Sequence, residues 1–508
     1  MKTNKFLGMI ALSVFAIACT QKEPEKDTTP AKLLSFGFYA EDNAELLEKD
    51  YVATIGEENS IIIRLPEGAR TSEALVARVE AGEKDVVKID GEEAADGKIT
   101  VNPLHPIDVI VTNTVSNLSA AYEIKVGKFL GYTLNKIATY EESGYTIYGY
   151  VYMEINPKDG MPYIAYYRKK DAGEGDTNTY NYQASVTKWN GTGFEFVGQS
   201  GFSGEETDAQ VYRPTLCFDK DGVPYVVYVD KANETRLSAK VFSGNSWKTL
   251  GSLGFGSSDK SNTSYEPLIF CNGSNVYAFY PGNVKTVSSY RVLNEAVYSG
   301  SDWTVNVKPG TPDSSKPYIR SRAVSVGDAT YMISAFNGVY YLFKYENGAS
   351  EIIINNGCEG NTHFTSISID ADSQGNLYSL LVDKVDSDAY NINLYKYDLE
   401  NKTMLAIARV PGITVSATGG VYQDFAVNPV DGTIAAMYID SNKNLFFGSL
   451  DQDSGRFDEF VQVGETTVNQ THVYIDFAPD GTGYAAVVNA DKKIDLYKVQ
   501  KEDDILPE

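Results

Sequence analysis

The feature that most constrains the fold of this chain is a turn glycine that recurs at nearly regular intervals through its second part. The steps between successive glycines are 62, 51, 54, 48, 57 and 49 residues, close to the period of about 40 to 50 residues that is typical of a propeller blade. The pattern predicts that residues 128–508 form a seven-bladed β-propeller. The turn glycine lies between two β-rich runs, usually after Asp, at Gly160, Gly222, Gly273, Gly327, Gly375, Gly432 and Gly481.

Each repeat contains four β-rich runs, which predicts a four-stranded sheet per unit. In the second unit these runs are 215–219, 224–228, 237–242 and 247–250. The chain ends soon after the third run of the seventh unit, so we expect residues 130–138 to supply the missing fourth strand. Joining the first and last blades in this way removes an open sheet edge. A six-bladed ring with one irregular unit is the alternative, because the third and fourth units lack the turn Asp.

Residues 31–127 show a different pattern, in which short β-rich runs alternate with turns such as Asp90-Gly91 and Asp96-Gly97. Seven or eight short strands in a segment of this length predict a small β-sandwich of immunoglobulin-like type. The predicted fold class is therefore all-β, a sandwich followed by a propeller. The runs of the sandwich are 33–39, 51–55, 60–65, 75–79, 86–89, 99–101, 109–112 and 122–126.

The first residues predict export. Lys2 and Lys5 precede an apolar run over 6–18, which is too short to span a bilayer as a helix and is typical of a signal peptide. The sequence Ala-Ile-Ala-Cys at 16–19 resembles a bacterial lipobox, which implies a signal peptide over 1–18 and a lipidated Cys19; an ordinary secretion signal is the alternative. Residues 19–30 are polar and contain prolines, so we expect a flexible tether.

The acidic segment after Cys19 is similar to the export tag of Bacteroidota surface lipoproteins. The stretches at 53–56, 62–66 and 122–126 resemble the immunoglobulin-like spacer of those proteins. The whole architecture resembles the lipoproteins that pass nutrients to TonB-dependent transporters. The resemblance implies an outer-membrane lipoprotein that faces the cell surface, with a glycan as the first candidate ligand and corrinoids or iron chelates as other cargoes.

Composition and motifs narrow the functional classes. The chain has 44 Lys and Arg against 68 Asp and Glu, a net charge of −24, which disfavours a nucleic acid partner because like charges repel. It lacks the common hydrolase, phosphate-loop and zinc motifs, so no catalytic residue, cofactor or metal is predicted. The loop 370–375 opens like a calcium loop, but Leu381 stands where a bidentate Glu is required, which favours a plain turn. Cys217, Cys271 and Cys358 are interpreted as small buried apolar residues.

The pattern that indicates a binding site consists of aromatic residues. A ring stands 12, 10, 8, 9, 11, 10 and 7 residues ahead of the seven turn glycines, where the chain enters each innermost strand at the mouth of the central channel. Flat apolar faces with polar groups beside them suit a sugar ring. The predicted ligand-binding residues are Tyr148, Tyr212, Arg213, Tyr265, Glu266, Tyr318, Arg320, Phe364, Tyr422, Gln423, His472 and Tyr474, and Arg322, His363 and Asp424 lie close by in sequence.

We therefore expect a non-catalytic, lipid-anchored protein that binds a glycan or other small nutrient through an aromatic propeller face. Two other classes stay open at this point. One is a propeller glycoside hydrolase or polysaccharide lyase, for which His363 or His472 beside Tyr474 is the candidate. The other is a protein-protein adhesion module. The aromatic rings have a structural alternative too, because tyrosine favours strands and packs between blades.

Overall fold

The computed structural model divides the chain into two compact units, residues 1–129 with 503–508 and residues 130–502. No helix in the part of the chain that it describes is long and apolar enough to cross a membrane. The described residues are 28–47, 50–53, 55, 59–94, 96–171, 182–204, 211–256, 267–284, 287–308, 320–336, 339–357, 367–384, 389–411, 415–416, 422–440, 442–451, 455–457, 460–467 and 472–505.

The first unit contains two sheets. The first has the strand order β2-β1-β4-β7; in the second, β9, β8, β5 and β6 are neighbours in that order, and β3 pairs with β9 in parallel. A short helix, α1 (Glu67–Arg70), follows β3. The strands are β1 (Leu33–Phe38), β2 (Tyr51–Val52), β3 (Ser60–Arg64), β4 (Leu75–Ala81), β5 (Asp85–Ile89), β6 (Glu92–Glu93), β7 (Lys98–Val101), β8 (Ile107–Asn113) and β9 (Ser119–Tyr140), of which residues 119–129 belong to this unit.

One hydrophobic core joins the two sheets of this unit. Strand β8 shows why: its residues alternate between buried and exposed, so Ile107, Val109 and Val111 face inward together. They pack in the same cluster as Phe36 and Phe38 of the other sheet. The unit is a β-sandwich, and its immunoglobulin-like identity stays a prediction.

In the part of the chain that the structure describes, the second unit contains seven sheets. Six are built from consecutive strands, and the seventh combines the last three strands with the propeller part of β9. The strands are β10 (Tyr145–Ile155), β11 (Pro162–Lys170), β12 (Tyr182–Trp189) and β13 (Phe194–Phe196) in blade 1; β14 (Val211–Phe218), β15 (Pro224–Asp230), β16 (Arg236–Ser243) and β17 (Ser246–Thr249) in blade 2; β18 (Leu268–Asn272), β19 (Asn275–Val284), β20 (Val287–Tyr298) and β21 (Trp303–Val307) in blade 3; and β22 (Arg320–Val326), β23 (Ala329–Phe336), β24 (Val339–Glu346) and β25 (Ala349–Gly357) in blade 4.

The remaining blades follow the same plan. Two of them carry an extra short strand: β30 pairs with β28, and β33 pairs with both β34 and β35. The strands are β26 (Ser368–Ala371), β27 (Leu377–Lys384), β28 (Ala389–Asp398), β29 (Thr403–Arg409) and β30 (Val415–Ser416) in blade 5; β31 (Tyr422–Val427), β32 (Ile434–Ile439), β33 (Asn444–Asp451), β34 (Arg456–Phe457) and β35 (Val461–Thr467) in blade 6; and β36 (Tyr474–Phe477), β37 (Gly483–Val488), β38 (Ile494–Ile505) and residues 130–140 of β9 in blade 7.

The seven sheets form a closed ring. Each innermost strand contacts the innermost strand of the next blade, from β10 through β14, β18, β22, β26 and β31 to β36, and β36 contacts β10 again. This is the arrangement of a seven-bladed β-propeller. The third and fourth units form full blades although they lack the turn Asp, so the six-bladed alternative is wrong.

Turn chemistry explains why the glycines recur. Gly222 has a φ of +78°, a conformation that glycine adopts without steric cost. A Cβ at this position would meet the side-chain oxygen of Asn156 in the preceding blade at 2.6 Å. The Asn156 side-chain amide instead donates to the Gly222 carbonyl at 3.0 Å. The turn glycine therefore allows adjacent blades to approach closely.

The last blade is completed by the segment that precedes the first blade, as the sequence predicted. Thr139 donates to the buried Asp495 carboxylate at 2.6 Å, and Asn135 donates to Gln500 at 2.7 Å. The Tyr132 ring lies 5.5 Å from the Phe477 ring. These contacts join the start of the propeller segment to its end.

Candidate functional site

Strand register aligns the seven innermost strands. In each blade the innermost strand and the second strand form a hairpin. The reference residue is the last residue before the turn whose backbone still pairs across this hairpin. The residues two, four and six positions before the reference residue form a lower, a middle and a mouth layer. They face the same way because alternate residues lie on one side of a strand, and successive layers are about 6.6 Å apart because that is the length of two residues in a strand. The reference residues are Asn156, Asp219, Asn272, Val326, Asp372, Asn428 and Ala478.

The lower and middle layers surround a central cavity of about 280 Å³ to which all seven blades contribute. The lower layer contains Glu154, Cys217, Phe270, Val324, Asp370, Ala426 and Asp476. The middle layer contains Tyr152, Thr215, Leu268, Arg322, Ser368, Asp424 and Tyr474. Except for Thr215 and Ala426, every member of both layers lines the cavity.

Four carboxyl groups line this cavity, and we call them the channel carboxyls: Glu154, Asp370, Asp424 and Asp476. The three aspartates tie neighbouring blades together, because each accepts a backbone N–H from the following blade. The donors are Val427 to Asp370 at 2.7 Å, Ile475 to Asp424 at 3.1 Å and Ile155 to Asp476 at 3.2 Å.

Glu154 differs from the three aspartates. Its carboxyl accepts a hydrogen bond from the Tyr152 hydroxyl at 3.0 Å. Burial, followed by the nearby Asp476 charge, raises the pKa of Glu154 to about 8. The same two causes raise the pKa of Asp370 to about 8, and burial raises the pKa of Asp424 to about 7 and that of Asp476 to about 6. The cavity therefore retains protons near neutral pH, because ionising all four carboxyls would enclose like charges.

Arg322 is the cation of this cavity. Its guanidinium lies 5.4 Å from the Tyr152 ring and 5.6 Å from the Tyr474 ring, and it donates to the Tyr474 hydroxyl at 3.2 Å. Its charge acts to lower the pKa of Asp424, against the larger effect of burial. Tyr474 is thus held inside the channel, one layer below the mouth where we expected it.

Two thiols complete the wall of the cavity. The sulfur atoms of Cys217 and Cys271, from adjacent blades, lie 3.7 Å apart, and both residues are free cysteines. Cys217 is buried as predicted, Cys271 is half-buried, and Cys358 lies outside the described residues. Burial, with a contribution from Cys271, raises the pKa of the Cys217 thiol well above its ordinary value.

We expect Cys217 in the folded protein to resist alkylation, since the thiolate is the reactive form and its formation is suppressed here. Iodoacetamide at pH 7.5, followed by peptide mass spectrometry, should modify Cys217 at least about 100-fold more slowly than in urea-unfolded protein. Cys271 in the same sample serves as the internal comparison. Equal rates for Cys217 in folded and unfolded protein would contradict this assignment.

The mouth of the channel carries a continuous cluster of rings, which we call the mouth array. Tyr182 is central on one side, with its ring 5.1 Å from Tyr148, 5.6 Å from Tyr167 and 5.6 Å from Tyr212. Across the junction of the last and first blades, His472 lies 5.0 Å from Tyr150 and 5.8 Å from Tyr422. Tyr150 and Tyr167 connect the two halves at 6.3 Å. The array comprises Tyr148, Tyr150, Tyr167, Tyr182, Tyr212, Tyr422 and His472.

The array presents both faces and hydroxyls. Tyr148 is 44% exposed, and Tyr212 and Tyr422 are half-buried. The other four members of the array are buried: Tyr150, Tyr167, Tyr182 and His472. Burial raises the pKa of Tyr167 to about 12, and Arg213 acts in the opposite direction. The Tyr167 hydroxyl therefore stays protonated and can donate as well as accept a hydrogen bond.

The structure brings together five of the twelve predicted site residues at the mouth: Tyr148, Tyr212, Arg213, Tyr422 and His472. Gln423 is buried, and strand alternation places it on the opposite side of β31 from Tyr422 and Asp424. Arg320 opens β22, where its backbone pairs with Ala335. Tyr265, Glu266, Tyr318 and Phe364, with the neighbouring His363, lie outside the described residues.

Sequence reasoning missed Tyr150, Tyr152 and Glu154 in the first blade and Asp476 in the last. The sequence signal for these residues is a repeat of aromatic, histidine or carboxyl side chains at every second position. Tyr150-x-Tyr152-x-Glu154 and His472-x-Tyr474-x-Asp476 place three chemical groups on one side of each strand.

No protein-family model matches the chain, and no curated protein matches it. A solved ulvan lyase, described as a new polysaccharide lyase family, has 13% identity, covers 74% of this chain and 95% of its own, and has a TM-score of 0.43. An α-L-arabinanase of Penicillium chrysogenum has 11% identity, covers 74% and 98%, and has a TM-score of 0.40. The Aleuria aurantia lectin has 12% identity, covers 73% and 97%, and has a TM-score of 0.38. At TM-scores below 0.5, the fold assignment depends on the strand connectivity described above.

Proposed function

We propose that this protein is a non-catalytic saccharide-binding protein whose ligand stacks on the accessible rings of the mouth array, Tyr148, Tyr212 and Tyr422. The observation that carries the proposal is the continuity of the array, from Tyr212 through Tyr182 and Tyr167 to Tyr150 and His472, with adjacent rings 5.0 to 6.3 Å apart. Aromatic faces contact the apolar face of a sugar ring while hydroxyls bond at its edges.

The proposed membrane anchor and transporter partner are inferred from the sequence. Lipidation at Cys19 would anchor the chain, the tether and an immunoglobulin-like sandwich would hold the propeller away from the outer membrane, and the bound glycan would be passed to a TonB-dependent transporter. These steps follow from the resemblance to Bacteroidota surface lipoproteins. Labelling with palmitate, compared between the natural chain and Cys19→Ala, tests the anchor.

The binding proposal is tested by removing the accessible rings. We expect the triple variant Tyr148→Ala, Tyr212→Ala, Tyr422→Ala to bind its best oligosaccharide about 100-fold more weakly, since each lost ring contact contributes roughly 1 kcal/mol. The protein is first screened on an oligosaccharide array, and affinities are then measured by calorimetry.

Phe196→Ala is the matched control, because Phe196 is also 44% exposed but lies on the fourth strand of blade 1. Its affinity should equal that of the natural protein. Unchanged affinity in a folded triple variant would mean that the array is structural.

A second candidate function, glycoside hydrolysis, is favoured by one observation: the raised pKa of the Glu154 carboxyl, which is a property of a general acid. Against it, the three aspartates of the cavity already bond to backbone N–H groups. Release of reducing ends from a polysaccharide panel, lost in Glu154→Gln, would establish hydrolysis and replace the non-catalytic proposal.

A further inference from the structure

Arg213 occupies an unusual backbone position at the mouth. It lies in β14 within a register shift between Tyr212 and Thr215, and its φ is +48°. A residue with a Cβ rarely adopts this left-handed conformation, which costs on the order of 1 kcal/mol or more. Strained residues of this kind occur often at functional sites. The surrounding strand therefore holds the Arg213 backbone in a conformation that its own preference disfavours.

The Arg213 side chain has an N–H group that no acceptor in the described structure satisfies. Its guanidinium lies 5.5 Å from the Tyr150 ring, and one terminal nitrogen, Nη1, is buried without a hydrogen-bond partner. Among the described residues no carboxylate forms an ion pair with it. A buried guanidinium N–H without an acceptor is costly, and the arrangement is explained if a ligand supplies the acceptor.

We propose that the ligand of the mouth array is an acidic saccharide, whose carboxylate or sulfate oxygen is bound by Arg213. This inference rests on the proposed saccharide-binding function. A planar guanidinium is well matched to such anionic groups, and the Tyr150 face beneath it limits the directions from which they can approach. The sugar ring that carries the anion would lie on the neighbouring rings, Tyr212 and Tyr148.

The rest of the molecule is negatively charged, so a preference for an acidic saccharide would have to come from Arg213. The net charge of −24 disfavours an anion at long range. Only a short-range contact can reverse that preference. Loss of the Arg213 charge should therefore remove the selectivity for an acidic sugar and not merely weaken it.

The test compares three probes on the full-length protein by calorimetry: tetragalacturonate, its fully methyl-esterified form, and a sulfated carrageenan tetrasaccharide. We expect one of the two acidic probes to bind at least about 10-fold more tightly than the neutral ester, the expected effect of one charge-assisted contact. Preference for the first identifies a carboxylate ligand, and preference for the third identifies a sulfate ligand.

Arg213→Gln should abolish that preference, while Arg213→Lys should retain part of it. Lys220→Gln is the charge-matched control in the same blade, because Lys220 is exposed at the turn on the opposite end of β14. Thermal unfolding of each variant checks that it folds.

Two failures are distinguishable. If binding depends on Tyr148, Tyr212 and Tyr422 but acidic and neutral probes bind equally, or if Arg213→Gln keeps the preference, the acidic-ligand inference is overturned alone. If no saccharide binds the natural protein, or if the triple tyrosine variant binds like it, the proposed function is overturned as well.

Discussion

Replacing Glu154 by glutamine is expected to stabilise the propeller at pH 8 by on the order of 3 kcal/mol, and to leave it nearly unchanged at pH 5. The Glu154 pKa is raised in the folded protein from 4.5 to about 8. Folding therefore takes up a proton between these two pH values. Glutamine keeps the acceptor for the Tyr152 hydroxyl but needs no proton.

The sign follows from proton linkage. A carboxyl whose folded pKa is raised contributes stability that is fully present below its unfolded pKa and is lost as pH rises through its folded pKa. Asp370, Asp424 and Asp476 act in the same direction, with folded pKa values of about 8, 7 and 6. Raising the pH from 5 to 8 should thus lower the free energy of unfolding of the natural protein.

Urea unfolding at pH 5, 6, 7 and 8, followed by tryptophan fluorescence, measures this effect. The signal is specific to the propeller, because all three tryptophans, Trp189, Trp247 and Trp303, belong to that unit. Glu400→Gln, at an exposed turn, should show the pH dependence of the natural protein. A Glu154→Gln variant with the same pH dependence as the natural protein would show that the channel does not retain the proton.

Removing the closing strand is the second change with a large expected effect. A chain that begins at residue 141 lacks the fourth strand of the last blade, and we expect its propeller to lose more than about 5 kcal/mol of unfolding free energy or to aggregate. A chain that begins at residue 128 keeps that strand and should unfold at the midpoint of the natural propeller.

The magnitude comes from specific contacts. Removing the segment exposes the pockets of two buried tyrosines, Tyr132 and Tyr140, each contributing roughly 2 kcal/mol. Tyr140 packs against Tyr166, with the two hydroxyls 2.7 Å apart. The loss also leaves the buried Asp495 carboxylate without its Thr139 donor. Equal unfolding midpoints for the two truncated chains, measured by tryptophan fluorescence, would contradict this account of ring closure.

The closing strand could be predicted because it depends on local patterns and on a count of strands. Four β-rich runs recur around each turn glycine, and the last repeat has only three, so the fourth had to come from elsewhere. The prediction of 130–138 matches the propeller part of β9, which ends at Tyr140. In the same way, the run predicted at 224–228 begins at Pro224, the first residue of β15.

The site was predicted less well. Tyr148, Tyr212, Tyr422 and His472 belong to the mouth array, but Tyr474 lies deeper and Gln423 faces the other side of its strand. Which alternate residues of a strand face the channel depends on register and on bulges, and the register shifts in β10 and β14 are not evident from composition or spacing.

What the sequence by itself determined is the local plan: seven repeated units, their turns, a preceding β-rich segment and the strand needed to close the ring. Turn residues and apolar alternation act over a few neighbouring positions, so a single chain displays them directly. What only the tertiary structure decided is which groups share an environment. Glu154 and Asp476 are 322 residues apart, and the pKa of each depends on burial that exists only when the ring is closed. The packing of the first two blades places Arg213 against the Tyr150 ring and leaves its Nη1 without a hydrogen-bond partner.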